Sequence, residues 1–175
     1  MTPDEWLPAA QAGIRQDPTA AARLLAEAPR RLGRASAAAR VTLLTALAEL
    51  PDGPAHVAGV YWTGDSGERL AVLAALPSVP QAVAVPLLED ALRSNDARLV
   101  AAALGPAATA LDQGTWRQGV LKCVFLGIPL AGVHDLDRRA DPELIAMLGG
   151  LAAERDAAGR ALPADAAALL TETRQ

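Results

Sequence analysis

The chain has 175 residues, the length of one ordinary domain, and is 51% hydrophobic, 21% charged and 3% aromatic; this composition excludes wholesale disorder and requires an aliphatic core. Its 41 alanines and 27 leucines, against 11 valines and 3 isoleucines, favour helix strongly and strand weakly. A net charge of −4, with 16 basic residues distributed along the chain, argues against nucleic acid or an anionic membrane as partner; the lone Cys123 rules out an internal disulfide or a cysteine zinc site and fits a reducing, cytoplasmic setting.

In chain order, Thr2-Pro3-Asp4-Glu5 forms a capping box and predicts a helix over 3–12. Asp17-Pro18 opens a second helix over 17–28, because proline at a first turn lacks only an amide that would be unpaired there anyway. A third is predicted over 36–50, where Val41, Leu44, Leu47 and Ala48 recur three and four apart on one apolar face. The stretch from Asp52 to Asp65, with Tyr61 and Trp62, is read as a loop. Further helices are predicted over 66–76, 79–93, 96–104, 114–127, 142–158 and 163–172. Pro86 should kink or break the fifth near Val83–Val85 by removing an amide and clashing one turn back. Asp141-Pro142-Glu143 is a strong helix start and Gly159-Arg160 a helix end. No strand alternation persists, and apolar runs such as Leu70–Leu76 fall far below the ~20 residues of a membrane span. The expectation is one all-α domain over 1–175, an irregular α-solenoid of HEAT- or armadillo-like hairpins, with a compact helical bundle as the alternative.

The motif scan is mostly negative. No phosphate-binding or dinucleotide glycine loop, His-Glu-x-x-His pair or paired-cysteine spacing occurs, so no cofactor or metal is expected. Gly64-Asp65-Ser66-Gly67 resembles the surroundings of a nucleophilic serine, but that chemistry needs a β-barrel scaffold and a base; Ser66 reads more simply as a helix cap. Asp135, Asp137 and Asp141 do not make a calcium loop, since Arg139 stands among them and no glycine follows. Of the tryptophans Trp6, Trp62 and Trp116, each could anchor a core or line a ligand.

The informative segment is 116–127. At about 100° per residue, Trp116, Val120, Cys123, Val124 and Gly127 form a wide apolar face, and Leu121, Phe125 and Leu126 cover most of the rest. Gln118 and Lys122 are left as a narrow polar stripe on a helix expected to be buried. Lys122 is the only lysine. A buried ammonium must find a carboxylate, reach the surface, or lose its proton, so Lys122 is a structural ion-pair partner, an anion anchor, or an amine base. After that helix, His134-Asp135-Leu136-Asp137-Arg138-Arg139-Ala140-Asp141 places six ionisable residues in eight positions. The segment is either an ion-pair network fixing two helices or a polar pocket in which Arg138, Arg139, Arg155 or Arg160 grips an anion through its guanidinium fork. Lys122 with Asp137 or His134 would then serve as acid and base of an enzyme needing no cofactor.

These residues resemble the EboA family of bacterial proteins. The pattern runs from Leu92-Arg93-Ser94-Asn95-Asp96 through Trp116-Arg117-Gln118, Val120-Leu121-Lys122-Cys123-Val124-Phe125 and Pro129-Leu130. It continues with Leu136-Asp137-Arg138-Arg139-Ala140-Asp141-Pro142-Glu143-Leu144, Met147-Leu148 and Glu154-Arg155 to Ala158-Gly159-Arg160, about residues 85–163 in all. Asp96 and Asp141 stand where members often carry Asn, and a second small-Asn-Pro element near Leu104-Gly105-Pro106 is not clearly matched. The resemblance implies an all-helical cytoplasmic metabolite-traffic factor encoded beside enzymes of secondary metabolism, with a small polar or prenylated metabolite, or a pathway enzyme, as partner. It assigns no catalytic residues. On the residues alone, Asn95, Trp116, Gln118, Arg138, Arg139 and Arg155 are the candidate ligand contacts, and Lys122, Asp137 and His134 the candidate catalytic groups.

Overall fold

The computed structural model describes residues 2–172, and among these residues there is no strand. The chain divides into two compact units, residues 1–90 and 91–175.

The first unit begins with α1 (Pro3–Gln16), whose Thr2–Glu5 capping box forms as predicted: the Thr2 amide donates to Glu5 Oε2 at 2.9 Å. Asp17 caps a 3-10 turn, Pro18–Ala20, that leads into α2 (Ala21–Leu32). Then come α3 (Ser36–Ala48), α4 (Gly53–Thr63), α5 (Ser66–Ala75) and α6 (Gln81–Arg93), which runs across the division. The hub is α3, packed against α1, α2, α4 and α5. Its Leu43, Leu44 and Leu47 are buried with Ile14, Leu25, Val57 and Val72, a core built almost entirely from aliphatic surface removed from water.

Three expectations are corrected here. The predicted loop 52–65 is helix α4. Its Gly53, Val57, Val60 and Tyr61 are buried at helical spacing, a signal masked by two glycines and a β-branched, aromatic composition. The cap of α5 is Asp65 rather than Ser66: Asp65 accepts the Glu68 amide at 2.8 Å while Glu68 Oε2 accepts the Asp65 amide. Pro86 does not break α6, which is helical from Gln81 through Arg93.

The second unit contains α7 (Ala97–Ala103), α8 (Gln113–Leu126), the short α9 (Leu136–Arg139), α10 (Pro142–Ala157) and α11 (Ala164–Glu172). Asp96, Asp112 and Asp141 cap α7, α8 and α10. Gly127 (φ +71°) closes α8 in the left-handed conformation, with the Ile128 amide donating back to Cys123 O at 2.8 Å. Gly159 (φ +67°) closes α10 in the same way, as its position predicted. Trp116, Val120, Cys123 and Val124 form the inner face of α8, packed with Leu99, Leu104, Leu130, Leu144 and Leu148.

Candidate functional site

The assumption that α8 is apolar and buried all round fails. One face is buried, but Phe125 is 70% exposed and Gln118 is exposed as well. The inner face fits closely because Gly119 has no side chain: a Cβ there would lie 3.0–3.1 Å from side-chain atoms of Leu104 and Leu92. Lys122 sits at the edge of this contact, half-buried, with Nζ donating to the Leu92 carbonyl at 2.6 Å. That carbonyl belongs to the last turn of α6, where helical oxygens lack intrahelical partners and the dipole favours a cation. The ammonium therefore meets a backbone oxygen rather than a carboxylate, and it ties α8 to the end of α6.

The ionisable segment after α8 separates into a braced side and an open side. On the braced side, Arg139 places one guanidinium on three acceptors: Ala108 O at 2.7 Å, Leu111 O at 3.0 Å and Gln113 Oε1 at 3.1 Å. The same guanidinium lies over the ring of the fully buried Trp116, 4.7 Å from its centroid. Burial pulls the Arg139 pKa down, countered in part by Asp135 and Asp112. Gln113 returns a bond to the Arg139 carbonyl at 2.7 Å and another to Asp141 at 3.1 Å. Asp141 caps α10 through the Leu144 amide and receives Arg117 in a fork, at 2.9 Å through Nε and 2.6 Å through Nη2. The Arg117 bonds, followed by the Leu144 amide, hold the Asp141 carboxyl well below the usual carboxylate range.

On the open side is a cleft of about 390 Å³ lined by Leu130, Val133, Leu136, Asp135, Asp137 and Arg138, with Ala131. Two bonds from outside it hold the segment that carries the cleft. The Leu130 amide donates to Asp165 Oδ2 of α11 at 2.7 Å, and the His134 amide donates to Leu104 O at 2.8 Å. Asp135 adopts φ +56°, a left-handed conformation uncommon outside glycine. Its carboxylate stands 3.8 Å from both His134 Nε2 and Arg138 Nη1. The Arg138 side chain is 82% exposed.

Of the residues singled out in the sequence, the structure thus brings Asp137 and Arg138 to one cleft, with His134 beside it through Asp135. Trp116 and Arg139 meet each other in the bracing network. Lys122, Asn95, Gln118 and Arg155 are not among the residues lining the cleft: Asn95 lies exposed between α6 and α7, Gln118 is exposed on α8, and Arg155 Nε donates to Ala161 O at 3.1 Å, closing the turn between α10 and α11. Sequence reasoning did not name Val133 and Asp165, and gave Leu130 only as part of the family pattern, not as a site residue. The apolar residues among the charges of 130–138 were the available signal, whereas nothing local marks Asp165, 35 residues beyond its partner.

Cys123 is buried, and desolvation pushes its thiol up to about 11, away from nucleophilic chemistry. Among the described residues, no helix is long and apolar enough to cross a membrane, and no group of three or more His, Cys, Asp or Glu is placed to hold a metal ion.

No curated protein and no solved structure matches the chain. One family model does, over residues 7–170, which takes in both units and extends well beyond the 85–163 stretch that carries the visible pattern. A match across nearly the whole length shows that the chain belongs to the EboA family, described as the metabolite traffic protein EboA.

Proposed function

We propose that the second unit binds a small polar metabolite in the cleft formed by residues 130–138. The family description supports a metabolite-handling role, and the cleft supports the location. The carrying observation is a cavity of about 390 Å³, within the usual few hundred Å³ of small-molecule sites, whose polar side chains are not consumed by the fold. Arg139, one residue away, has three protein acceptors; Arg138 extends into solvent with only Asp135 at 3.8 Å.

The chemistry of the lining describes the ligand. Arg138 offers a fork for a carboxylate or phosphate. Asp137, and Asp135 in part, offer acceptors for hydroxyl or ammonium groups. Leu130, Val133 and Leu136 cover an apolar portion, which leaves room for a short prenyl group. Positions braced by Arg139, Asp141 and Asp165 keep the walls in place before the ligand arrives, lowering the ordering cost of binding. In this reading Lys122 positions α8 through the Leu92 carbonyl and is not a reacting amine.

Native mass spectrometry and thermal shift with small hydroxy acids, sugar phosphates and short prenyl diphosphates test the reading. Binding by one class, lost in Arg138→Ala and weakened in Asp137→Asn with an unchanged melting temperature, is the expected result. Full affinity in both variants would refute the location.

A further inference from the structure

The first unit carries a concentrated positive charge that the proposed cleft does not use. Residues 23–40 contain five arginines and one glutamate, a net +4 within a chain whose total is −4. Two of the five are engaged: Arg23 pairs with Glu27 at 2.8 Å, and Arg40 Nε donates to the Leu25 carbonyl at 2.9 Å. The remaining three, Arg30 and Arg31 in the last turn of α2 and Arg34 in the 3-10 turn Gly33–Ala35, are exposed. Among the described residues none of the three side chains makes a hydrogen bond, an ion pair or a ring contact.

The fold accounts for the presentation but not for the amount of charge. The inner face of α2, Ala21, Leu24, Leu25 and Ala28, is buried, so positions 30 and 31 turn outward. Gly33, at φ +53°, ends the helix and sets Arg34 beyond it. A helix C-terminus carries only about half a negative charge, which one cation offsets. Three unpaired guanidinium groups within five residues exceed that need and repel one another.

We propose that Arg30, Arg31 and Arg34 form a docking surface for an acidic segment of a partner protein. The guanidinium fork matches a carboxylate bidentately. Five residues at a helix end cover roughly 6–8 Å, close to the roughly 7 Å between alternate side chains of an extended peptide, so a short run of Asp and Glu reaches all three. The surroundings disfavour other polyanions. A bilayer contact would need exposed apolar residues beside the charge, but the large exposed hydrophobics among the described residues, Trp62 and Phe125, lie outside this segment, and the apolar face of α2 is in the core. Duplex or single-stranded nucleic acid is held by about 6–10 phosphate contacts or by aromatic stacking, and this surface offers three cations.

The test is fluorescence anisotropy with a labelled deca-glutamate peptide at low and physiological salt, comparing the native chain with the triple variant Arg30→Gln, Arg31→Gln, Arg34→Gln. The three side chains are exposed, so the variant should melt with the native chain, and a triple arginine-to-lysine variant provides a second, charge-preserving comparison. Binding that weakens about tenfold or more in the glutamine variant, is partly retained in the lysine variant and falls with salt is expected. Equal binding by the native and glutamine chains, absence of peptide binding at low salt, or tighter retention on phosphatidylserine vesicles or a single-stranded oligonucleotide would each overturn it. None of these outcomes depends on the metabolite cleft.

Discussion

Arg138 and Arg139 are adjacent and chemically identical, yet the structure assigns them opposite consequences on removal. Arg139→Ala deletes three guanidinium hydrogen bonds and the contact over Trp116. With each bond at about 0.5–1.5 kcal/mol net and the ring contact at about 0.5–1 kcal/mol in a partly exposed position, the loss is about 2–5.5 kcal/mol. For a unit of this size that corresponds to roughly 10–28 °C in melting temperature. Arg139→Lys should lose most of the same amount, because a single ammonium cannot span the Ala108 and Leu111 carbonyls and the Gln113 side chain. Arg138→Ala removes a side chain 82% exposed, with its nearest charge at 3.8 Å, and should change stability by no more than about 0.5 kcal/mol while abolishing metabolite binding. Urea unfolding gives the totals, and amide hydrogen exchange over residues 113–126 localises the loss to the second unit. Native stability in Arg139→Lys, or a cost above about 1 kcal/mol for Arg138→Ala, would refute the division of labour.

Two glycines of α4 provide a test of opposite sign from one substitution. A Cβ at Gly53 would lie 1.8 Å from the Leu47 carbonyl oxygen, a backbone atom that cannot swing aside, whereas one at Gly59 meets nothing within 4 Å; Gly53→Ala should cost about 3 kcal/mol or more and Gly59→Ala should stabilise by about 0.5–1 kcal/mol, both read by denaturant titration. The depressed Asp141 pKa fixes the sign of one pH dependence. Its contribution is complete above the unfolded carboxylate value, about 3.9, and disappears as pH falls from there through the lower folded value; Asp141→Asn should flatten this part of the acid-unfolding curve, and an unchanged curve would contradict the Arg117 pairing. Cys123, with its thiol at about 11, should resist a disulfide reagent at pH 8 in the native protein and react promptly in urea; rapid native labelling would show that α8 opens more readily than its packing indicates.

Helix boundaries were the most legible part of this chain because their chemistry is local. A side-chain oxygen reaching an amide two or three residues on explains Thr2, Asp17 and Asp141, and a left-handed residue explains Gly159. Local chemistry misled where two patterns competed. At 53–63 the glycines and β-branched residues outweighed a real helical spacing, and on α8 the count of apolar residues around the wheel overlooked that Phe125 has no neighbour to bury it. The candidate site was partly legible: the density of charge at 134–141 drew attention to the segment whose Asp137 and Arg138 line a cleft.

What composition, capping and periodicity established was the all-α class, most of its helices and the segment where polar residues gather. Only the folded chain distinguished Arg138 from Arg139 and drew Lys122 to the Leu92 carbonyl. It alone brought Asp165 to the Leu130 amide, across 35 residues. The reason is that a cap is an interaction of a few residues with themselves, whereas the role of a charged side chain depends on which acceptors arrive beside it from distant parts of the chain. Identical neighbours in sequence then part company according to which of them has its hydrogen bonds filled by the protein and which is left to fill them from solution.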